Sequence, residues 1–264
     1  MLQSLHRQGY RAPAVRRVYI PKPGKTEKRP LGVPTIADRA LQRSAAEVLS
    51  AIYEQDFLPC SFGGRPKLSA HHALATLNEV IAGGKISWVL EADLKNFFGS
   101  LSHEWMLRFV EHRVGDPRLI GLIRRWLKAG AMEDGAVHPS EEGTPQGGSI
   151  SVLLSNLYLH YVLDLWFERV VKVRLRGKAR LVRYIDDFVI CFQYREDALR
   201  VENALHRRLG KAPGNDLFSG TDAVLHAQPE GKLQGWDAHR EISVTVQPCF
   251  ASGVDAANTA LWHQ

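Results

Sequence analysis

The sequence predicts an α+β fold with antiparallel strand pairing, and three features lead there. Short apolar runs of strand length are interspersed with amphipathic stretches of helical period, the helical stretches come partly in pairs, and two of the apolar runs flank a short acidic turn. With 264 residues the chain is long enough for one large domain or two intimate ones. At 45% hydrophobic and 23% charged residues it belongs with ordinary globular proteins, not with disordered or fibrous ones.

Taken in order, Arg17 to Lys22 reads as a strand ending at the turn Pro21–Gly24. Thr35 caps a helix to about Tyr53, with Ile36, Ala40, Leu41, Ala45, Val48, Leu49 and Ile52 on one face. A second helix runs from about Ser69 to Ala82 and stops at Gly83-Gly84. Trp88 to Asp93 fits a buried strand, and two helices follow, one after Ser102 and one after Asp116-Pro117. Met132 to His138, centred on Asp134-Gly135, suggests a hairpin. A long helix spans about Ser149 to Arg169, and Leu181–Ile185 with Phe188–Phe192 form a second hairpin around Asp186-Asp187. The last clear helix is Glu196 to Leu209, with Gly210 as its stop.

Three widely spaced cysteines without a Cys-x-x-Cys or Cys/His ligand spacing argue against a disulfide framework and a structural zinc. The start lacks a basic-then-apolar leader pattern. The longest apolar stretch, Ile150 to Phe167, contains Asp164, which at membrane mid-depth costs roughly 2.5–3.5 kcal/mol. It therefore reads as a buried helix, and a cytoplasmic protein with no membrane partner is expected. The net charge of +6 divides into +10 over residues 1–211 and −4 beyond, which places a boundary near Gly210. The sequence sets no oligomeric state.

Carboxylates stand where burial makes them costly. Asp93 closes one apolar strand and Asp186-Asp187 sit at the turn of an apolar hairpin. Taken alone, the Asp pair reads first as a polar turn. Gathered together, such hard oxygen donors suit Mg²⁺. From Arg169 to Arg183 inclusive there are seven basic residues and no acid. Lys172, Arg174, Arg176, Lys178 and Arg180 alternate with apolar or small residues, as on one face of a strand pair turning at Gly177. That face either neutralises nucleic-acid phosphates or is a solvated, protected edge.

Tyr184-Ile-Asp-Asp187 between apolar strands, Asp93-Leu-Lys-Asn-Phe-Phe98 and Gly143-Thr-Pro-Gln-Gly-Gly148 together resemble the palm of reverse transcriptases, in particular the group II intron type. Arg29-Pro-Leu-Gly-Val-Pro-Thr with Asp38-Arg39 and Gln42, Ser61-Phe-Gly-Gly-Arg-Pro with Ser69-Ala-His71, and Arg183 before Tyr184 extend the resemblance over roughly residues 10 to 210. It implies a right-hand polymerase with fingers (1–86) and palm (87–210, with a fingers-like insertion at about 131–148), the antiparallel palm sheet being backed by helices.

The resemblance further implies that Asp93, Asp186 and Asp187 form the catalytic trio, holding two Mg²⁺ ions (or Mn²⁺) with help from the Leu94 carbonyl. Lys22 and Arg29 would grip the triphosphate, with Lys25, Lys28 and Arg39 as lesser neighbours. Phe98 would lie beneath the incoming sugar and exclude a ribose 2′-hydroxyl, leaving Phe97 to the core. Gln146 would touch the templating base pair. Val152 departs from the family's usual proline. The implied partners are an RNA template, a DNA or RNA primer, deoxynucleotides and an intron RNA.

Past Leu209 the resemblance ends, with no primer-gripping segment or helical thumb legible. The expectation is a truncated or frameshifted copy lacking its thumb, with residues 211–264 an atypical tail, poorly ordered from about 212, and weak, distributive DNA synthesis. Rival readings are a non-enzymatic RNA-binding splicing helper, an inactive remnant, and a CRISPR-linked or defence-associated polymerase with the same palm.

Overall fold

Two four-stranded sheets organise the molecule, each within its own packed unit. The computed structural model describes residues 9–21, 26, 28–83, 85–94, 97–140, 143–144, 147–209 and 242–248. One unit comprises Met1–Asp56 and Phe98–Leu157, the other Phe57–Phe97 and Tyr158–Gln264. Among the described residues no helix is long and apolar enough to cross a membrane.

In the first unit, β1 (Val15–Pro21) pairs antiparallel with β2 (Lys28–Val33), from Arg16 opposite Val33 to Pro21 opposite Lys28. A short hairpin of β4 (Ala131–Glu133) and β5 (Ala136–His138) joins the other edge, giving the order β2-β1-β4-β5. Its turn is Asp134-Gly135, both at positive φ, as the sequence suggests. The β1–β4 pair is parallel, against the antiparallel expectation. These strands are separated by more than a hundred residues carrying several helices, a connection long enough for parallel pairing.

Helix α1 (Ile36–Tyr53) starts where Thr35 accepts a hydrogen bond from the Asp38 amide at 3.2 Å. Its buried face is rotated from the one its apolar residues predict, keeping Ala45 and Leu49 of that set. Ile36 and Val48 are 87% and 56% exposed, whereas Asp38, Gln42, Ala45, Leu49 and Tyr53 point inward. Polar partners make this possible. The Tyr10 hydroxyl donates to the Asp38 carboxylate and accepts from the Trp126 indole at 3.1 Å. Burial, followed by that carboxylate, raises the Tyr10 pKa. The Tyr53 hydroxyl reaches the Val110 carbonyl at 3.1 Å. Helices α3 (His103–Glu111) and α4 (Pro117–Lys128) are capped by Ser102 and Asp116, as their sequences indicate.

The second unit is built on β3 (Trp88–Leu94), β6 (Ala179–Tyr184), β7 (Asp187–Phe192) and β8 (Ile242–Pro248), all antiparallel in the order β6-β7-β3-β8. Helix α2 (Ala70–Ala82) brings Leu77 onto Val189 and Cys191, with Val89 on the same side. The strand pleat turns Leu90, Phe188, Ile190 and Phe192, all fully buried, to the opposite side. Helix α6 (Arg195–Leu209) follows β7 and packs on β3, β7 and β8. Strand, helices, hairpin, helix and strand thus close into a split β-α-β unit.

Strand β8 corrects one expectation. Residues 242–248, expected to be poorly ordered, pair along the whole of β3, with Asp93 opposite Ser243 and Leu94 opposite Ile242. The signal was present in Ile242-Ser-Val-Thr-Val246, which alternates β-branched apolar with polar residues. The rest of the expected tail lies outside the described residues.

The long helix begins as α5 (Ser151–Leu159) and continues through wide π-type turns, His160–Asp164 and Phe167–Val171, into a 3₁₀ turn, Lys172–Arg174. The strand pair expected to turn at Gly177 is therefore absent among these residues. Lys172 bonds to Glu168 at 2.7 Å and Arg174 to the Val170 carbonyl at 3.3 Å, four-residue spacings that belong to a helix. The alternating pattern was a helix end followed by a loop, and only Ala179 onward is strand.

A chain ending at Glu241 loses β8 and leaves the β3 edge open. Urea unfolding followed by circular dichroism should show a loss of a few kcal/mol, at about 0.5–1.5 kcal/mol per hydrogen bond removed.

Candidate active site

The acidic turn is the tightest one the register permits. Tyr184 pairs with Asp187, leaving Ile185 and Asp186 as a two-residue loop. Ile185 sits in the left-handed region at φ 59°, which a β-branched residue adopts at a cost. Asp186 and Asp187 are both half-buried.

Strand β3 pairs with β7 as far as Ala92 opposite Phe188. Asp93 follows Ala92 and Asp187 precedes Phe188, so the Asp93 backbone reaches the same end of the sheet as the acidic turn. Leu94 continues β3 one residue beyond, buried. The side chain of Asp93, and all of Lys22, Lys25 and Gln146, lie outside the described residues. Among the described residues no three His, Cys, Asp or Glu side chains are grouped to hold a metal. The donors this sheet end does offer are carboxylate oxygens, the chemistry that suits Mg²⁺ or Mn²⁺.

Arg29 and Phe98 belong to the first unit, Phe97 and the basic residues Lys172–Arg180 to the second. Arg29 lies exposed on β2, opposite Ile20. Phe98 is half-buried in the 3₁₀ turn Phe97–Ser100. Phe97 is 1% exposed and meets Tyr158 edge-on at 6.4 Å, so it is the core aromatic of the pair. The Phe98 carbonyl accepts from the Thr144 amide at 2.6 Å, and the Gly143 amide donates to Leu101 at 2.7 Å. A Cβ on Gly143, at φ 80°, would stand 2.7 Å from the Phe98 and Gly99 carbonyl oxygens. A Cβ on Gly147 would come within 3.0 Å of the Gly32 carbonyl on β2. The glycines of this motif therefore let one loop run against both the Phe98 turn and the strand that carries Arg29.

Of the basic residues, Arg174, Arg176 and Lys178 are exposed and Lys172 and Arg180 half-buried. The loop that carries them is pinned from α6, where Asp197 accepts from the Arg176 and Gly177 amides at 3.1 and 3.0 Å. The Arg176 guanidinium lies 5.4 Å from the Tyr194 ring centre.

Sequence reasoning missed Asp164 as a member of this region. Its carboxylate is fully buried and paired with Arg183, 2.6 Å away. A charge inside an apolar helix and an opposite charge inside an apolar strand were the available signal, since buried charges need partners.

The model of the reverse transcriptase (RNA-dependent DNA polymerase) family matches residues 20–213. The chain belongs to that family. It is 38% identical over 160 residues to the group II intron-encoded protein LtrA of Lactococcus lactis subsp. cremoris, covering 61% of this chain and 26% of LtrA. It is also 38% identical over 178 residues to protein YkfC of Escherichia coli (strain K12), covering 66% of this chain and 45% of YkfC. The chain thus spans about a quarter to a half of these relatives. Among solved structures, telomerase from Candida albicans in complex with a fragment of telomeric RNA superimposes with a TM-score of 0.55 at 14% identity. That match covers 76% of this chain and 41% of the telomerase chain, and it shares the fold.

Cys60, on the segment beside Arg183, is buried, and burial first and the Asp164 charge second push its thiol well above the ordinary range. Mass mapping after treatment with a thiol reagent at pH 8 should find Cys60 unmodified in the folded protein and fully modified in urea.

Proposed function

We propose that this chain is an RNA-directed DNA polymerase of group II intron type, extending a DNA or RNA primer with deoxynucleotides on an RNA template. The observation that carries the reading is the strand register that brings the Asp93 backbone to the sheet end bearing Asp186 and Asp187, in a chain of this family. Asp93, Asp186 and Asp187, with the Leu94 carbonyl, would hold two Mg²⁺ ions, or Mn²⁺ in their place. When bound, such ions activate an attacking oxygen and neutralise charge on the leaving group.

The chain's own residues do the rest. Arg29, with Lys22, grips the triphosphate oxygens of the incoming nucleotide. The Phe98 ring lies beneath the sugar and collides with a 2′-hydroxyl, selecting deoxynucleotides. Gln146, on the glycine loop, contacts the templating pair. Arg174, Arg176 and Lys178, with Lys172 and Arg180, offer positive charge to template or primer phosphates. In functional terms, fingers occupy 1–86 and palm 87–210, with 131–148 an insertion of fingers type. Assayed by itself, the 264-residue chain is a weak, distributive enzyme, and its place of action is the cytoplasm.

Primer extension on an RNA template with Mg²⁺ tests the reading. Asp186→Ala should lower incorporation by about three orders of magnitude or more, the scale of lost transition-state charge stabilisation. Phe98→Val should keep deoxynucleotide incorporation and raise ribonucleotide incorporation, measured as the ratio of the two kcat/KM values. A second reading that the group II intron resemblance leaves open is a splicing helper that binds intron RNA without catalysis; the chain is similar to LtrA, a group II intron-encoded protein. RNA binding that survives Asp186→Ala, with no incorporation by the unaltered chain, selects that reading.

A further inference from the structure

We infer that Arg183, gripped by Asp164 and by the segment Cys60–Gly63, is a positioning residue that sets the backbone of the acidic turn. The inference rests on the reading of Asp186 and Asp187 as metal ligands, and it gives a task to the Ser61-Phe-Gly-Gly motif and to Asp164.

Arg183 is fully buried on β6. Its guanidinium forks onto Asp164, with Nε on Oδ1 at 2.8 Å and one terminal nitrogen on Oδ2 at 2.6 Å. That terminal nitrogen also donates to the Ser61 hydroxyl at 2.8 Å. The other terminal nitrogen leaves this cluster and donates to the Ile185 carbonyl at 2.7 Å. The Ile185 carbonyl lies in the peptide plane that enters Asp186, so the guanidinium fixes the plane from which that carboxylate hangs. Main-chain bonds hold the base of the device. The Arg183 amide donates to Cys60 at 2.8 Å, and the Phe62 amide donates to the Arg183 carbonyl at 2.9 Å.

Gly63 adds a second constraint on the turn. A Cβ there would lie 2.5 Å from the Ile185 amide nitrogen and 2.6 Å from its Cγ1, leaving room for glycine alone. Ile185 is thus held at its carbonyl by a charge and at its amide by a close-packed backbone. A left-handed β-branched residue persists only where the surroundings over-determine it, and these two contacts do so. A purely structural ion pair has no need of a bond into the turn, and an apolar pair of similar volume often packs as stably. The bond to Ile185 is what an apolar pair cannot replace.

Three variants of the full chain test this. Arg183→Lys keeps the charge and loses the planar fork. Gly63→Ala displaces the turn without removing a bond to Arg183. The double variant Arg183→Met with Asp164→Leu removes the grip and supplies an apolar pair in its place. Hydrogen–deuterium exchange of the metal-free protein should quicken about tenfold or more across residues 185–187 in each folded variant. Mn²⁺ affinity by electron paramagnetic resonance, and kcat, should fall by a similar factor, the scale of an ångström-level misplacement. KM for deoxynucleotide should stay within about threefold, because the nucleotide-gripping residues are untouched.

Should Arg183→Lys not fold, the other two variants carry the test. Folded variants with exchange and Mn²⁺ affinity within about twofold of the parent would overturn the inference, since misplaced ligands cost far more. An unaltered chain that incorporates no nucleotide overturns the polymerase reading, whereas exchange in the metal-free protein still decides the role of Arg183.

Discussion

A guanidinium shut away from water must find an acceptor for nearly every proton it carries, and Arg183 finds them on three stretches of chain remote from one another. Asp164 comes from the long helix, Ser61 from the loop ahead of α2, and the Ile185 carbonyl from the hairpin. Burial alone lowers an arginine pKa, yet the Asp164 charge, with a smaller share from Asp186, outweighs it and Arg183 is held above its ordinary value. Removing one partner of such a pair costs about 3–5 kcal/mol, because the other charge is left buried and uncompensated. The helix, the loop and the hairpin are therefore coupled through this one side chain. The acidic turn inherits its place from that assembly.

The second unit solves a conflict between burial and chemistry. A sheet covered on both sides excludes water from its middle and leaves strand ends as the places where charge is tolerated. Asp93 and Asp187 each stand one residue beyond the last pair of the β3–β7 ladder, where the backbone leaves the core. Strand β8 carries the pairing of β3 on through Asp93 and Leu94, so the backbone on that side remains ordered past the point where β7 ends. On the hairpin side, Asp186 and Asp187 are half-buried, fixed without being sealed in. In the first unit, the same economy of space appears in the glycine loop, where a Cβ at Gly143 would clash with the Phe98 turn and one at Gly147 would crowd the Gly32 carbonyl.

Much of this was legible in the residues. Caps at Thr35, Ser102 and Asp116, the hairpin at Asp134-Gly135 and the choice of Phe97 over Phe98 for the core stand in the structure as the sequence indicates, and the second hairpin stands with its two-residue loop one position earlier than expected, at Ile185-Asp186. Three local features read differently in the structure. Apolar periodicity turned Ile36 and Val48 inward, but Asp38 had partners in Tyr10 and Thr35 that periodicity cannot see. Alternation between Lys172 and Arg180 suggested strands, but the helix ran on to Arg174. In Ile242–Pro248 a clear alternation was passed over because the residues around it carried none.

The amino-acid sequence by itself determined the elements, their caps and the acidic residues at strand ends, because these depend on neighbours a few positions away. It also carried the family membership, through motifs in a fixed order. Only the tertiary structure decided which charges meet. That Arg183 belongs to Asp164, that Gly63 lies against Ile185, and that β8 extends the sheet on β3 are pairings across 19 to more than a hundred residues. Local preference carries no information at that range, since such contacts are selected by the packing of the whole unit and by the cost of leaving any one of these groups buried alone.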